Sequence, residues 1–97
     1  MARQLYRFCV SDNAAVVVRR LHPHIKRKLK AAFQAIIADP FAGKALTEEL
    51  SGLRSFRVSR FRVIYRIGQE KMIEIVTVGP RERIYEETYR LIQKPEK

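Results

Sequence analysis

Cysteine is nearly absent from this chain of 97 residues: Cys9 stands alone. One thiol cannot build an internal disulfide framework, and it fits a reducing compartment, with the cytoplasm as the default home. No apolar run is long enough to span a bilayer, and no signal-peptide pattern follows Met1, so no membrane span is expected. No repeat and no low-complexity tract is visible. Histidine is confined to His22 and His24, on either side of Pro23. No carboxylate or thiol completes a ligand set there, so both read as exposed turn residues, and no metal or other cofactor is expected. No glycine-rich loop offers a phosphate cradle. Acidic residues are scarce: ten Asp/Glu stand against twenty Lys/Arg, for a net charge of +10 and a pI near 10.4. A field of that sign attracts polyanions and speeds encounter with them. Nucleic acid ranks first among partners, an acidic protein second and an anionic membrane third.

What is present has the composition of a globular protein, 46% hydrophobic and 31% charged. The length makes residues 1–97 one domain. Tyr6, Phe8 and Val10 alternate within "YRFCVS" and predict a short strand. Cys9 on that strand reads as a small strand residue, not a nucleophile. Ser11 and Asp12 are helix N-cap types. Ala14, Val17, Val18 and Leu21 then follow helical spacing until Pro23 interrupts it. Ile25, Leu29, Phe33, Ile36 and Ile37 form a second apolar stripe, opposite the solvated Lys26, Arg27, Lys28 and Lys30. Asp39-Pro40 ends it, so residues 12–38 predict a helical hairpin whose stripes are buried against one face of a sheet. Residues 41–53 read as a loop, with Glu48 and Glu49 solvated. "RSFRVS" and "RFRVIYRI" predict strands, "GQEK" a turn, and "KMIEIVTVG" a central strand buried on both faces. Ile84, Tyr85, Thr88, Leu91 and Ile92 predict a helix over 82–94. The order is β-α-α-β-β-β-α.

Between Leu50 and Gln69 there is no acidic residue, yet "FRVSRFRVIYR" carries Arg57, Arg60, Arg62 and Arg66. Phe56 and Val58 share one parity, whereas Phe61, Val63 and Tyr65 share the other. A two-residue turn at Ser59-Arg60 repairs the slip, setting Val58 opposite Phe61 and Phe56 opposite Val63 on the core side. Arg57 then stands directly across from Arg62 on the other face, an opposition of like charges that destabilises a sheet. Ser-Arg is also a poor two-residue turn. With "GQEK" as the next turn, Ile67 is expected to meet Met72, and Arg62 to meet Thr77. Gly79 then ends beside the start of the preceding strand, so Arg57, Arg62 and Arg81 converge, with Tyr85 one helical turn beyond. Three guanidiniums without a local carboxylate make a cradle for phosphate.

The segment "LSGLRSFRVSRFRVIYRI…IEIVTVGPRERIYEE" resembles the RelE/ParE toxin superfamily of type II toxin–antitoxin systems. The resemblance rests on an arginine strand, a tight turn, an "R-x-x-Y" strand at Arg62 to Tyr65, and a strand ending in Gly79 before Arg81 and Tyr85. It implies an α+β fold: a small antiparallel sheet, the N-terminal helical hairpin packed on one face, and a C-terminal helix. RelE-like members cut mRNA in the ribosomal A site. The ribose 2′-OH attacks the adjacent phosphate, without a metal, leaving a 2′,3′-cyclic phosphate and a 5′-OH. ParE-like members inhibit DNA gyrase instead, and both kinds are silenced by a cognate antitoxin. The resemblance implies that Arg57 acts on the scissile phosphate, that Arg62 and Arg81 stabilise developing charge, and that Tyr85 stacks on a base or takes part in proton transfer. Arg54, Arg60, Arg66 and Arg83 are expected along the RNA path. Some RelE-like toxins carry a second basic residue where Ser59 stands here, and others use a carboxylate or histidine pair. The general base is therefore left open.

Overall fold

A computed structural model of the chain describes residues 6–93. Strand β1 (Arg7–Val10) leads into α1 (Asp12–Arg19) and α2 (Pro23–Ala38), the expected helical hairpin. A two-residue strand β2 (Lys44–Ala45) and a single 3-10 turn at Glu48–Leu50 interrupt the segment expected as loop. Then come β3 (Arg54–Val58), β4 (Phe61–Ile67), β5 (Met72–Pro80) and α3 (Ile84–Gln93). The five strands form one sheet in the order β1-β5-β4-β3-β2.

Strands β2 to β5 pair antiparallel, but β1 joins β5 in parallel, so the expected antiparallel sheet is mixed. A parallel neighbour requires a long crossover, and almost the whole chain lies between β1 and β5. Side-chain burial then fixes β1 in place, because Phe8 meets the edge of Phe33 on α2 with ring centroids 5.1 Å apart.

The α1–α2 hairpin covers one face of the sheet. Ala14, Leu29, Ala32 and Ile36 pack there against Val58, Val63, Tyr65, Ile73, Ile75 and Val78. Each large apolar side chain so buried contributes roughly 1.5–3 kcal/mol. Helix α3 covers part of the other face, where Ile84 joins Leu53 and Ile64. Burial of β5 on both faces holds for its C-terminal half only, since Met72 and Glu74 stay half-buried.

The register expected between β4 and β5 is corrected. Ile67 pairs with Ile73 and Arg62 with Gly79. Ile64 pairs with Thr77 and Tyr65 with Ile75, which leaves Val76 as one extra residue on β5. This is a β-bulge, which local hydrophobic alternation cannot announce. Ser11 clamps it: its backbone N–H bonds Ile75 O (3.1 Å), and its hydroxyl donates to Val76 O (2.8 Å). The same hydroxyl accepts from Ala14 N (3.1 Å), capping α1 as the sequence suggests.

Tyr65 is fully buried, and its hydroxyl donates to Pro40 O (2.7 Å) and accepts from Gly43 N–H (3.0 Å). A Cβ at position 43 would sit 2.5 Å from that hydroxyl, so only glycine fits. Burial pushes the Tyr65 phenol above its ordinary 10.0, against the lowering pull of the Gly43 N–H and of Arg54.

Tyr65→Phe leaves the buried Pro40 carbonyl and Gly43 N–H without their partner, and is expected to cost about 1–3 kcal/mol at neutral pH. A raised phenol pKa stabilises the fold fully below the unfolded value near 10, and that contribution is lost as pH rises through the folded value. The wild-type advantage over Tyr65→Phe should therefore shrink above about pH 10. Urea unfolding of both proteins at neutral and alkaline pH measures it; a constant gap would contradict the assignment.

Candidate active site

The β3–β4 hairpin closes as its apolar pattern requires. Phe56 pairs with Val63 and Val58 with Phe61, toward the α1–α2 core. Ser59 takes a positive φ of 57°, so a strained two-residue turn is tolerated to keep this register. Arg57 consequently stands opposite Arg62 on the other face. Arg62 in turn pairs with Gly79, so these three positions form a row across β3, β4 and β5. Beyond the row, Arg81 N–H donates to Arg60 O (2.8 Å), which brings these two arginines to the same end of the sheet.

Gly79 allows the helix to approach. A Cβ there would lie 2.8 Å from Ile84 Cδ1 and 3.2 Å from Glu87 Oε1. Ile84 is fully buried against Leu53 and Ile64, and the next residue, Tyr85, stands at the edge of the arginine row. Its hydroxyl is 3.2 Å from Ser55 Oγ, and Arg62 Nη1 donates to the same oxygen at 3.2 Å. Arg62 is half-buried, and its Nε is enclosed without a partner. An enclosed N–H left unbonded costs free energy, so Arg62 is held in this place by the register and not by full satisfaction of its donors. A groove of about 290 Å³ runs beside Tyr85, lined also by Lys44, Ala45, Leu46, Thr47 and Leu50.

Among the described residues the ion pairs use other cations. Arg66 Nε meets Glu74 Oε1 at 2.6 Å, Arg83 meets Glu87 at 3.3 Å, and Arg90 meets Glu86 at 2.7 Å. Arg57, Arg60 and Arg81 are exposed, and with Arg62 they make a cluster of arginine positions at one end of the sheet, none of them in an ion pair. Chemically the cluster is an anion receiver: planar forks suited to a phosphodiester, with an aromatic hydroxyl beside them.

Of the eight residues singled out in the sequence, Arg57 and Arg62 face each other across β3 and β4, Arg62 and Tyr85 share the Ser55 hydroxyl, and the backbones of Arg60 and Arg81 meet at that end of the sheet. Three do not join them. Arg54 turns toward the preceding loop, donating from Nε to Gly43 O and from Nη2 to Phe41 O, both at 3.1 Å, with its guanidinium 5.3 Å above the Phe41 ring. Arg66 lies toward the far end of β4, neutralised by Glu74. Arg83 is held by Glu87 one turn along. Ser55 was missed, although its parity with Arg57 placed it on this face. His22 caps α2, its Nδ1 accepting from His24 N–H at 3.1 Å. Cys9 is exposed on β1, and Glu48 and Glu49 are exposed in the 3-10 turn.

Solved structures that share this architecture include toxins and toxin–antitoxin complexes. The RelBE2 toxin–antitoxin complex of Mycobacterium tuberculosis contains a chain 30% identical to this one, with a TM-score of 0.72; the match covers 79% of this chain and 99% of that one. A mutant of the Escherichia coli toxin RelE in the free state gives 0.72 at 21% identity, over 91% and 98% of the two chains. The RelE–RelB complex of Pyrococcus horikoshii gives 0.66 at 22% identity, over 80% and 97%. The last two likenesses concern the fold alone. A search of curated proteins found no match. The family described as the ParE toxin of type II toxin–antitoxin system, parDE, matches residues 5–85, and the chain belongs to this family, within the RelE/ParE toxin superfamily.

Two substitutions test the site's construction. Arg57→Thr removes one partner of a cross-strand like-charge pair and is expected to stabilise the fold by about 0.2–1 kcal/mol. The gain should fade in high salt, because added ions screen the repulsion in the wild type. Gly79→Val should do the opposite, driving a side chain into Ile84 and lifting α3. The check is a thermal melt of each variant at low and high salt; an Arg57→Thr gain independent of salt would refute the repulsion.

Proposed function

We propose that this toxin inhibits translation by cutting mRNA on the ribosome. The observation that carries this reading is the placement of Arg57 opposite Arg62, with Arg60 and Arg81 joined at the same end of the sheet, none of the four in an ion pair among the described residues, and Tyr85 beside Arg62 on the Ser55 hydroxyl. In the proposed reaction the 2′-oxygen of a ribose forms a bond to the adjacent phosphorus, and the bond from phosphorus to the 5′-oxygen breaks. The products are a 2′,3′-cyclic phosphate and a 5′-OH. The 2′-OH gives up its proton and the leaving 5′-oxygen takes one. Arg57 binds the scissile phosphate. Arg62 and Arg81 face the charge that grows on the phosphoryl and leaving oxygens. Preorganised donors of this kind are usually the largest single contribution to catalysis. Tyr85 supplies a ring for stacking and a hydroxyl at the reacting centre.

A cognate antitoxin with an acidic segment is the proposed protein partner, and the ribosome and its mRNA are the targets, all in the cytoplasm. The complexes of the Mycobacterium tuberculosis and Pyrococcus horikoshii relatives with their antitoxins support the first. The net charge of +10 suits them all. Among the described residues no helix is long and apolar enough to cross a membrane.

A second reading is favoured by the family match, which is to the ParE toxin. Under it the chain inhibits DNA gyrase by binding and leaves RNA intact.

Brief induction followed by primer extension on translating mRNA separates the two. Discrete cuts within codons support the nuclease; a DNA-damage response without cuts supports the gyrase inhibitor. On programmed ribosomes, Arg62→Ala and Arg81→Ala should each slow single-turnover cleavage by on the order of 10²–10³. Arg19→Ala, on the exposed side of α1, should change little. Wild-type cleavage by folded Arg62→Ala and Arg81→Ala proteins would overturn the cluster's role.

A further inference from the structure

Ser55 is buried, at 2% exposure, yet it is polar and sits between two residues of the proposed site. Its hydroxyl lies 3.2 Å from both Arg62 Nη1 and the Tyr85 hydroxyl. A guanidinium only donates, so toward Arg62 the Ser55 oxygen accepts. The serine's own proton then needs an acceptor. Among the described residues the one within hydrogen-bond reach is the Tyr85 oxygen. The reverse arrangement, with Tyr85 donating, would leave a buried serine proton unsatisfied, which is costly. The chain of donation therefore runs from Arg62 to Ser55 to Tyr85.

We infer that Ser55 is a positioning residue that aims both partners at the substrate, an inference that rests on the nuclease reading above. Because Tyr85 accepts from Ser55, its own O–H points away from the protein. It is presented as a hydrogen-bond donor to the phosphodiester held in the arginine row. Because Ser55 engages Nη1 of Arg62, the guanidinium plane is fixed, with Nε turned into the protein and Nη2 left as the uncommitted donor for a phosphate oxygen. Neither effect needs Ser55 to touch RNA. Packing alone would be met as well by alanine, because Ser55 pairs with Ile64 inside a sheet whose neighbours hold the register. The hydroxyl is the part that packing does not require.

The test is single-turnover cleavage of mRNA on programmed ribosomes by wild type, Ser55→Ala, Tyr85→Phe and the double variant, each with a thermal melt. Ser55→Ala should lower the rate at saturation by about tenfold, with the half-saturating ribosome concentration unchanged. The double variant should be no slower than Tyr85→Phe by more than about twofold, because the serine acts partly through the tyrosine proton. Ser55→Thr keeps the hydroxyl and should cleave within about threefold of wild type, which separates the hydroxyl from any loss of stability in the alanine variant. A wild-type rate for Ser55→Ala, or losses that multiply fully in the double variant, would overturn the positioning role and leave the nuclease standing. Absence of cleavage by wild type would overturn the nuclease reading and this role with it.

Discussion

The register of the β3–β4 hairpin is the constraint on which the rest of the molecule depends. Phe56 with Val63, and Val58 with Phe61, cannot leave the α1–α2 core without turning every side chain of both strands to the wrong face. Their burial outweighs two local costs. One is the positive φ of Ser59 in a turn that lacks glycine. The other is the opposition of Arg57 and Arg62. A cross-strand charge repulsion is worth tenths of a kcal/mol to about 1 kcal/mol, whereas each buried large side chain contributes roughly 1.5–3 kcal/mol. The core thus holds in place a pair of cations that would not choose each other's company, and holds it without a flexible linker.

The bulge at Val76 does the same for the third strand. Ile73 and Ile75 are odd-numbered and Val78 is even, yet all three face the α1–α2 hairpin. One extra residue reconciles them and shifts the remainder of β5 by one place. Without that shift, Arg62 would pair with Val78, whose side chain would occupy the space that α3 fills. With it, Arg62 pairs with Gly79 and the helix comes down over the bare backbone. The stray carbonyl that a bulge creates is taken up by the Ser11 hydroxyl, so a helix cap also fixes the far side of the site.

This also explains what was legible in the sequence. The helical hairpin, the β3–β4 pairing and the meeting of Arg57 with Arg62 follow from apolar periodicity, because each has a buried face that punishes a slip. The bulge has no such signature and accounts for one of the two places by which the partner of Arg62 moves; the other comes from the β4–β5 turn, which is one residue longer than the pattern suggests. The expected register sets Arg66 opposite Ile73, which hides its partner Glu74. The engagement of Arg54 is hidden for a different reason: its acceptors are backbone carbonyls of Phe41 and Gly43, which no residue-type pattern displays. The parallel seat of β1 rests on its pairing with β5, on the Ser11 bonds that follow it and on packing of Phe8 against α2, none of which shows in the alternation of β1 alone. Ser55 was within reach by parity alone, but a small hydroxyl among arginines carries no periodic signal of its own.

The two sides of the sheet differ in what they can hold. Among the described residues, the core beneath α1 and α2 contains ten buried side chains, whereas that beneath α3 contains three: Leu53, Ile64 and Ile84. Local opening free energy follows the apolar contact that must be broken, so α3 detaches more readily than the hairpin strands lose their pairing. The arginine row belongs to the stronger unit, because β3, β4 and β5 all contribute to the larger core. Tyr85 belongs to the weaker one, tied down by Ile84 and by a single hydroxyl contact at Ser55. The arginine row is therefore built into the part of the fold that has the larger core. The aromatic element is added by a helix whose seat depends on one glycine and one serine.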